Sequence, residues 1–141
     1  MRLELTRRTE LALQALQTLE GARRRVKGAE LAESVGSTPA FIAQVVAPLV
    51  DRGWLESAPG PLGGYRLDGR LDDISLLELI EVMEGPTDTG ECVLVDRLCR
   101  ADEPCALHEP WTRARSALMA ELSTTSVSDV GSRSRKRRTS C

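Results

Sequence analysis

The sequence predicts a mainly α-helical fold carrying one small β-hairpin, and three features lead to that expectation. Apolar residues recur at helical spacing in successive segments of the chain. Only 3% of the 141 residues are aromatic while 41% are hydrophobic, so Leu, Val and Ala must fill the core, which favours packed helices. One stretch, WLESAPGPLGGYRL, breaks the helical rhythm with two short runs around a Pro/Gly cluster.

The first helix is read from TRRTELALQALQTLE. Leu11, Ala12, Ala15, Leu16 and Leu19 share one face, Glu10, Gln14 and Gln17 fall on the more polar side, and Gly21 is expected to stop it. The following GARRR reads as a solvated turn. Two helices around a tight turn come next. The first spans roughly 28–35, with Leu31, Ala32 and Val35 inward and Gly36 at its C-terminal end. Thr38 is placed to cap the second, and Pro39 suits a first helical position that needs no N–H. Ile42, Val45, Val46, Leu49 and Val50 line its inner face, and Gly53 ends it. Pro48 predicts a kink or a late break, since an interior proline costs roughly 3 kcal/mol. WLES and GYRL are short strands joined by APGPLGG.

DDISLLELIEVMEG is another helix, with Ser75 and Glu78 as a capping box and Leu76, Leu79, Ile80 and Met83 as its buried stripe. A last helix, about residues 110–123, carries Ala114, Leu118 and Leu122 on one face. The tail beyond Val130 is polar and basic and is expected to be disordered, with Cys141 a bystander. Helix, helix, turn, helix, hairpin is the order of a winged helix-turn-helix. In that arrangement the helix after Thr38 presents its N-terminal side to a major groove while the hairpin reaches the neighbouring backbone.

Charge is divided in the same sense. Residues 1–70 hold ten Lys/Arg against eight Asp/Glu, and residues 71–130 hold four against thirteen. Residues 131–141 hold five basic residues and no acid. The first block is the one able to approach a polyanion. Charges scattered through the N-terminal segment match neither a signal peptide nor a membrane span, so a cytoplasmic protein without membrane contact is expected. In that compartment clustered cysteines bind metal or do redox chemistry more often than they form disulfides.

The cluster is GECVLVDRLCRADEPCALHEPW, with Cys92, Cys99 and Cys105 and the chain's single histidine, His108. Three thiolates and one further ligand suit a cubane or a two-iron cluster. They equally suit a structural zinc. A disulfide with a spare thiol, or three unconnected thiols, are the remaining readings. Arg97 and Arg100 are placed to offset thiolate charge, against Glu91, Asp96, Asp102 and Glu103.

Together these motifs resemble the IscR/NsrR/RirA group of bacterial transcription regulators (the Rrf-two superfamily). The resemblance runs from residue 3 to about 130, through LTRRTELALQAL, LAESVGSTPAFIAQVVAPLVDRGWLES, GPLGGYRL, ISLLELIEVMEGP, the cysteine loop and ALHEPW. It implies a homodimeric regulator of double-stranded promoter DNA carrying an iron–sulfur cluster, 4Fe-4S or 2Fe-2S, with zinc as the alternative. It also implies that the helix after the cysteines is the dimer contact. For the fourth ligand it offers Glu10 from the partner chain or, alternatively, His108. The family wing usually bears a basic residue just before its glycines, often an arginine entering a minor groove; here Pro59 stands there, and Arg66 is the nearest basic substitute.

The expected DNA contacts are Ser37, Thr38, Ala40 and Gln44 on the recognition helix, with Gln44 suited to an adenine edge. Arg7 and Arg8 are expected on backbone phosphates, or simply as an exposed basic surface. The organisation expected is a winged helix-turn-helix over 1–70, a cluster loop and dimerisation helices over 71–130, and a basic tail over 131–141. The function expected is a regulator, most simply a repressor, that senses nitric oxide, redox or iron status. Competing readings are a structural-zinc regulator and a cluster-carrier or redox protein. An enzyme is not expected, because no phosphate loop, nucleophile elbow or second histidine accompanies the thiols.

Overall fold

The computed structural model describes residues 3–95, 97–99 and 102–131. Gly131 of the predicted tail is helical, contrary to the expected disorder, while the rest of the tail with Cys141, and Asp96 and Arg100 of the cysteine loop, lie outside the described residues. The order is α1 (Arg7–Ala22), α2 (Gly28–Val35), α3 (Pro39–Asp51), β1 (Leu55–Ala58), β2 (Gly64–Leu67), a 3-10 turn (Leu71–Asp73), α4 (Leu76–Glu84) and α5 (His108–Thr124). Residues 127–131 are again helical.

The core lies where α1, α2 and α3 converge. Leu11, Leu16, Leu19, Leu31, Ile42, Val45, Val46 and Leu49 are each less than 2% exposed, as the helical spacing requires. Leu79 and Met83 of α4 are buried, while Leu76 and Ile80 are only half-buried. Val127 comes back from beyond α5 to fill the same core. Its N–H donates to Ile74 O at 2.9 Å and the Leu76 N–H donates to Thr125 O at 2.8 Å, tying the far end of α5 to the start of α4.

The helix ends are chemically specified. Thr6 Oγ1 accepts from Thr9 N, Thr38 Oγ1 accepts from Phe41 N, and Ser75 with Glu78 forms a reciprocal capping box. Gly36 ends α2 in the left-handed conformation at φ 68°. Gly21 does not stop α1, which runs through Ala22 and ends on Arg23, left-handed at φ 53°. The tertiary packing of α1 holds the extra turn despite the low helix propensity of glycine. GARRR is likewise more than a solvated turn: Arg24 pairs with Glu30 at 2.5 Å and Arg25 with Glu56 at 3.1 Å. At Pro48 the helix continues to Asp51. The missing hydrogen bond is offset there by the buried Val45, Val46 and Leu49 around it.

β1 and β2 pair antiparallel, Leu55 opposite Leu67 and Ala58 opposite Gly64. Val26 joins as a third contact, exchanging two 2.8 Å backbone bonds with Tyr65. A Cβ on Gly63 would lie 2.1 Å from Ala58 O, and one on Gly64 would lie 2.5 Å from Val26 O. The paired glycines are therefore fixed by close backbone approach.

α5 begins at His108, earlier than the expected residue 110, and none of its residues is buried. Its half-buried positions are His108, Trp111, Arg115, Met119 and Leu122. Ala114 and Leu118 of the expected face are exposed, Leu118 at 41%. α5 thus lies on α4 by one edge and leaves a second, partly apolar face uncovered.

Candidate functional site

The cysteine loop is built as a small ring closed onto a helix. Cys99 N donates to Gly90 O at 3.0 Å and Cys92 N to Arg97 O at 2.8 Å, with a bridge between Glu91 and Leu98. That pairing brings Cys92 and Cys99 side by side. The chain then returns to α5, where His108 N donates to Cys105 O at 3.0 Å. Cys105 therefore sits at the N-terminal end of α5, which begins at His108. The three free, half-buried thiols have their sulfurs within 4.8 Å of one another. His108 Nδ1 lies 3.0 Å from Cys99 Sγ.

The sulfurs line an open cleft of about 190 Å³ together with His108, Trp111 and Arg115. Backbone N–H groups of Leu94 and Val95 hold the Cys92 thiol below its ordinary value, whereas partial burial raises Cys105. Among the described residues the cation at this cleft is Arg115, whereas Arg97 is exposed away from it. Arg115 is 22% exposed and bonds Asp88 at 2.5 Å. Asp88 also accepts from Gly90 N, and the two contacts hold its carboxyl below the usual range. Arg115, Trp111 and Asp88 were not anticipated from sequence. The available signal was helical spacing, which puts residues 108, 111 and 115 on one side of α5.

The donor set fits a thiophilic metal group. Three thiols able to act as thiolates and a neighbouring imidazole satisfy the ligand chemistry of zinc and of iron–sulfur centres alike. Sulfurs within 4.8 Å of one another are close enough to share one tetrahedral ion, for which a Zn–S distance of about 2.3 Å puts sulfurs roughly 3.8 Å apart.

The remaining expected ligand and contact residues are placed as follows. Glu10 is on the first turn of α1, ion-paired to Arg7 at 2.6 Å and accepting from Gln14 at 3.2 Å. It does not line the cysteine cleft of its own chain. Thr38, Ala40 and Gln44 are exposed along α3, and Ser37 is half-buried in the preceding turn. Ala43 and Ala47 share the exposed side of α3, so Gln44 stands among methyl groups. Arg8 is exposed. Arg66 is midway along β2, bonded to Glu56 at 2.6 Å, and Glu56 accepts from Arg25 as well. A phosphate approaching Arg66 has to compete with that carboxylate.

The Rrf2 family, described as iron-dependent transcriptional regulators, matches residues 5–133. The chain belongs to the Rrf2 family. Among its relatives, the HTH-type transcriptional regulator CymR of Bacillus subtilis is 30% identical over 118 residues, covering 81% of this chain and 80% of that protein. The structure of CymR (YrzC), the global cysteine regulator of B. subtilis, superposes with a TM-score of 0.73 at 27% identity, over 93% of this chain and 98% of CymR. The T. potens IscR structure shares the fold, with a TM-score of 0.68 at 22% identity over 91% of this chain and 85% of IscR. This Rrf2 protein is accordingly a winged-helix, DNA-binding transcriptional regulator and not an enzyme.

Proposed function

We propose that this Rrf2 protein is a cytoplasmic homodimer that represses promoters through α3 and its hairpin and is switched by an iron–sulfur cluster held on Cys92, Cys99 and Cys105. The observation that carries this reading is the convergence of three free thiols at the N-terminus of α5 in a chain of this family. The uncovered face of α5, with Ala114 and Leu118, is the dimer contact. Among the described residues no helix is long and apolar enough to cross a membrane. When bound, the cluster supplies a centre reactive toward nitric oxide or oxidants and dependent on iron supply.

The chain's own contacts supply the route from loop to DNA. Glu84, the last residue of α4 before the loop, accepts from Thr6 N at 2.8 Å and from Thr9 Oγ1 at 2.5 Å. Those two residues open α1, and α1 packs on α3. A loop that opens or closes therefore pulls on the first helix of the DNA-binding core. Glu10 of the partner subunit, as the fourth ligand, adds a second pull on the same helix of the other protomer.

A second reading has its own observation. The sulfurs within 4.8 Å and His108 against Cys99 support a single zinc with three cysteines and His108. Anaerobic purification followed by iron, sulfide and zinc analysis separates the two. The cluster reading expects iron and sulfide with visible absorption that bleaches on nitric oxide or oxygen exposure. Stoichiometric zinc and a colourless protein overturn it. Glu10→Ala and His108→Ala then assign the fourth ligand by which one changes the spectrum.

A further inference from the structure

Pro59 stands where the wing of this kind of protein is expected to carry a cation, and the hairpin shows what its tip offers in exchange. Leu62 is 94% exposed, the most exposed of the large hydrophobic side chains among the described residues. A lone exposed leucine is ordinary on a protein surface. This one differs in its position and in how firmly it is held. It lies between the ends of β1 and β2, at the tip of the hairpin that follows α3.

The tip is stiff. Pro59 and Pro61 fix their own φ angles, and Gly63 N donates to Gly60 O at 3.0 Å. Lys27 Nζ donates to Pro61 O from the side, and the close approach at Gly63 and Gly64 leaves no room for larger residues. Residues 59–64 therefore present one substantial side chain on a narrow, preorganised ridge. The nearby guanidinium groups of Arg25 and Arg66 are both engaged by Glu56 on the strands behind it.

With α3 in a major groove, a hairpin that follows it directly meets the adjacent minor groove across one phosphate wall. A minor groove about 6 Å wide admits a narrow ridge, and leucine is among the residues that enter base steps as apolar wedges. Lys27 behind the tip supplies charge for the flanking phosphates. We propose that Leu62 is a minor-groove wedge, inserting beside the α3 site and kinking the flexible base step that it meets. The wing thereby recognises deformability in its site, where an arginine would recognise negative potential. This rests on the regulator reading above.

The test uses the full chain, purified anaerobically, to select binding fragments from a DNA library. The selected fragment is then bound by wild-type, Leu62→Ala and Leu62→Arg proteins, with bend angle measured by circular permutation. Leu62→Ala is expected to bind roughly tenfold more weakly and bend the fragment less, as follows from losing the burial of most of a leucine side chain in the complex. Its salt dependence should match wild type, because no charge is lost. Leu62→Arg is expected to regain affinity with a log–log salt slope steeper by about 0.9, one extra phosphate contact. Light scattering and thermal unfolding of both variants should match wild type, since the side chain touches no core. If wild type binds and Leu62→Ala keeps its affinity and bend, the wedge is overturned alone. If wild type enriches no DNA, the regulator reading falls with it.

Discussion

The DNA-binding core and the cysteine loop of this molecule are held together by different physics. The helix-turn-helix owes its shape to leucines, valines and Ile42 of α1, α2 and α3 that are almost wholly removed from water. The cysteine loop has no such core. Val93, Leu94, Val95 and Leu98 are all exposed, and among the described residues the loop closes through a few backbone bonds, the Cys99–His108 contact and the Arg115–Asp88 pair. Burial holds the DNA-binding core in a single rigid arrangement, whereas polar closure leaves the loop open to rearrangement by whatever its sulfurs bind. A sensor of the kind proposed above, joined to a rigid reader, needs that difference.

The largest expected effect breaks the loop and spares the reader. Replacing Cys99 by Ala should abolish retention of the proposed metal group, measured as metal per chain, while the unfolding of the helix-turn-helix stays close to wild type measured without metal. A Cys99→Ala protein with full metal content would falsify the ligand assignment. The converse is Leu16→Ala, which leaves a cavity in the shared core. It should lower stability by about 2–5 kcal/mol in urea unfolding, without removing any donor from the sulfur cluster. A loss below half that range would mean that the core is less closely packed than its burial indicates.

Arg115→Ala sharpens the comparison at the junction of loop and helix. Without the guanidinium, Asp88 is released and the cleft loses its cation, so metal affinity should fall about tenfold, the low end for a supporting residue. Faster amide exchange over residues 88–99 should accompany it, with α1 to α3 unchanged; equal protection in both proteins would show that the ion pair does not hold the loop. The smallest effect is expected at Glu84. Burial opposes ionisation, but the Thr9 hydroxyl and Thr6 N–H outweigh it and hold the carboxyl below its ordinary value. The carboxylate therefore contributes stability above the ordinary glutamate pKa of about 4.3, and loses it as pH falls through the lowered folded value. Glu84→Gln should cost at most about 1 kcal/mol near neutrality, discounted because the group is open to water, with the difference vanishing in acid. A cost that grows on acidification would contradict the sign.

Much of the reader was legible in the sequence because its signals are local. Helical spacing marked Leu11, Leu16 and Leu19, and the Thr38–Pro39 pair marked the start of α3. Ser75 and Glu78 announced a capping box, and spacing with residue type singled out the cysteines. Each of these signals is contained within a turn or two of chain. Local reading failed where packing overrode propensity, at Gly21, which α1 runs past to Ala22.

By itself, then, the sequence determined the elements, their order, the clustered thiols and the exposed side of α3, because periodicity, capping and residue type act over a few residues. Only the tertiary structure decided which groups stand beside those thiols and how the loop is tied to the reader. Arg115 meets Asp88 across 27 residues, Glu84 meets Thr9 across 75, and Val127 returns to the core to anchor α5. The physical reason is that such contacts follow from how packed helices bring distant residues into register. No pattern within either partner's own segment encodes that register.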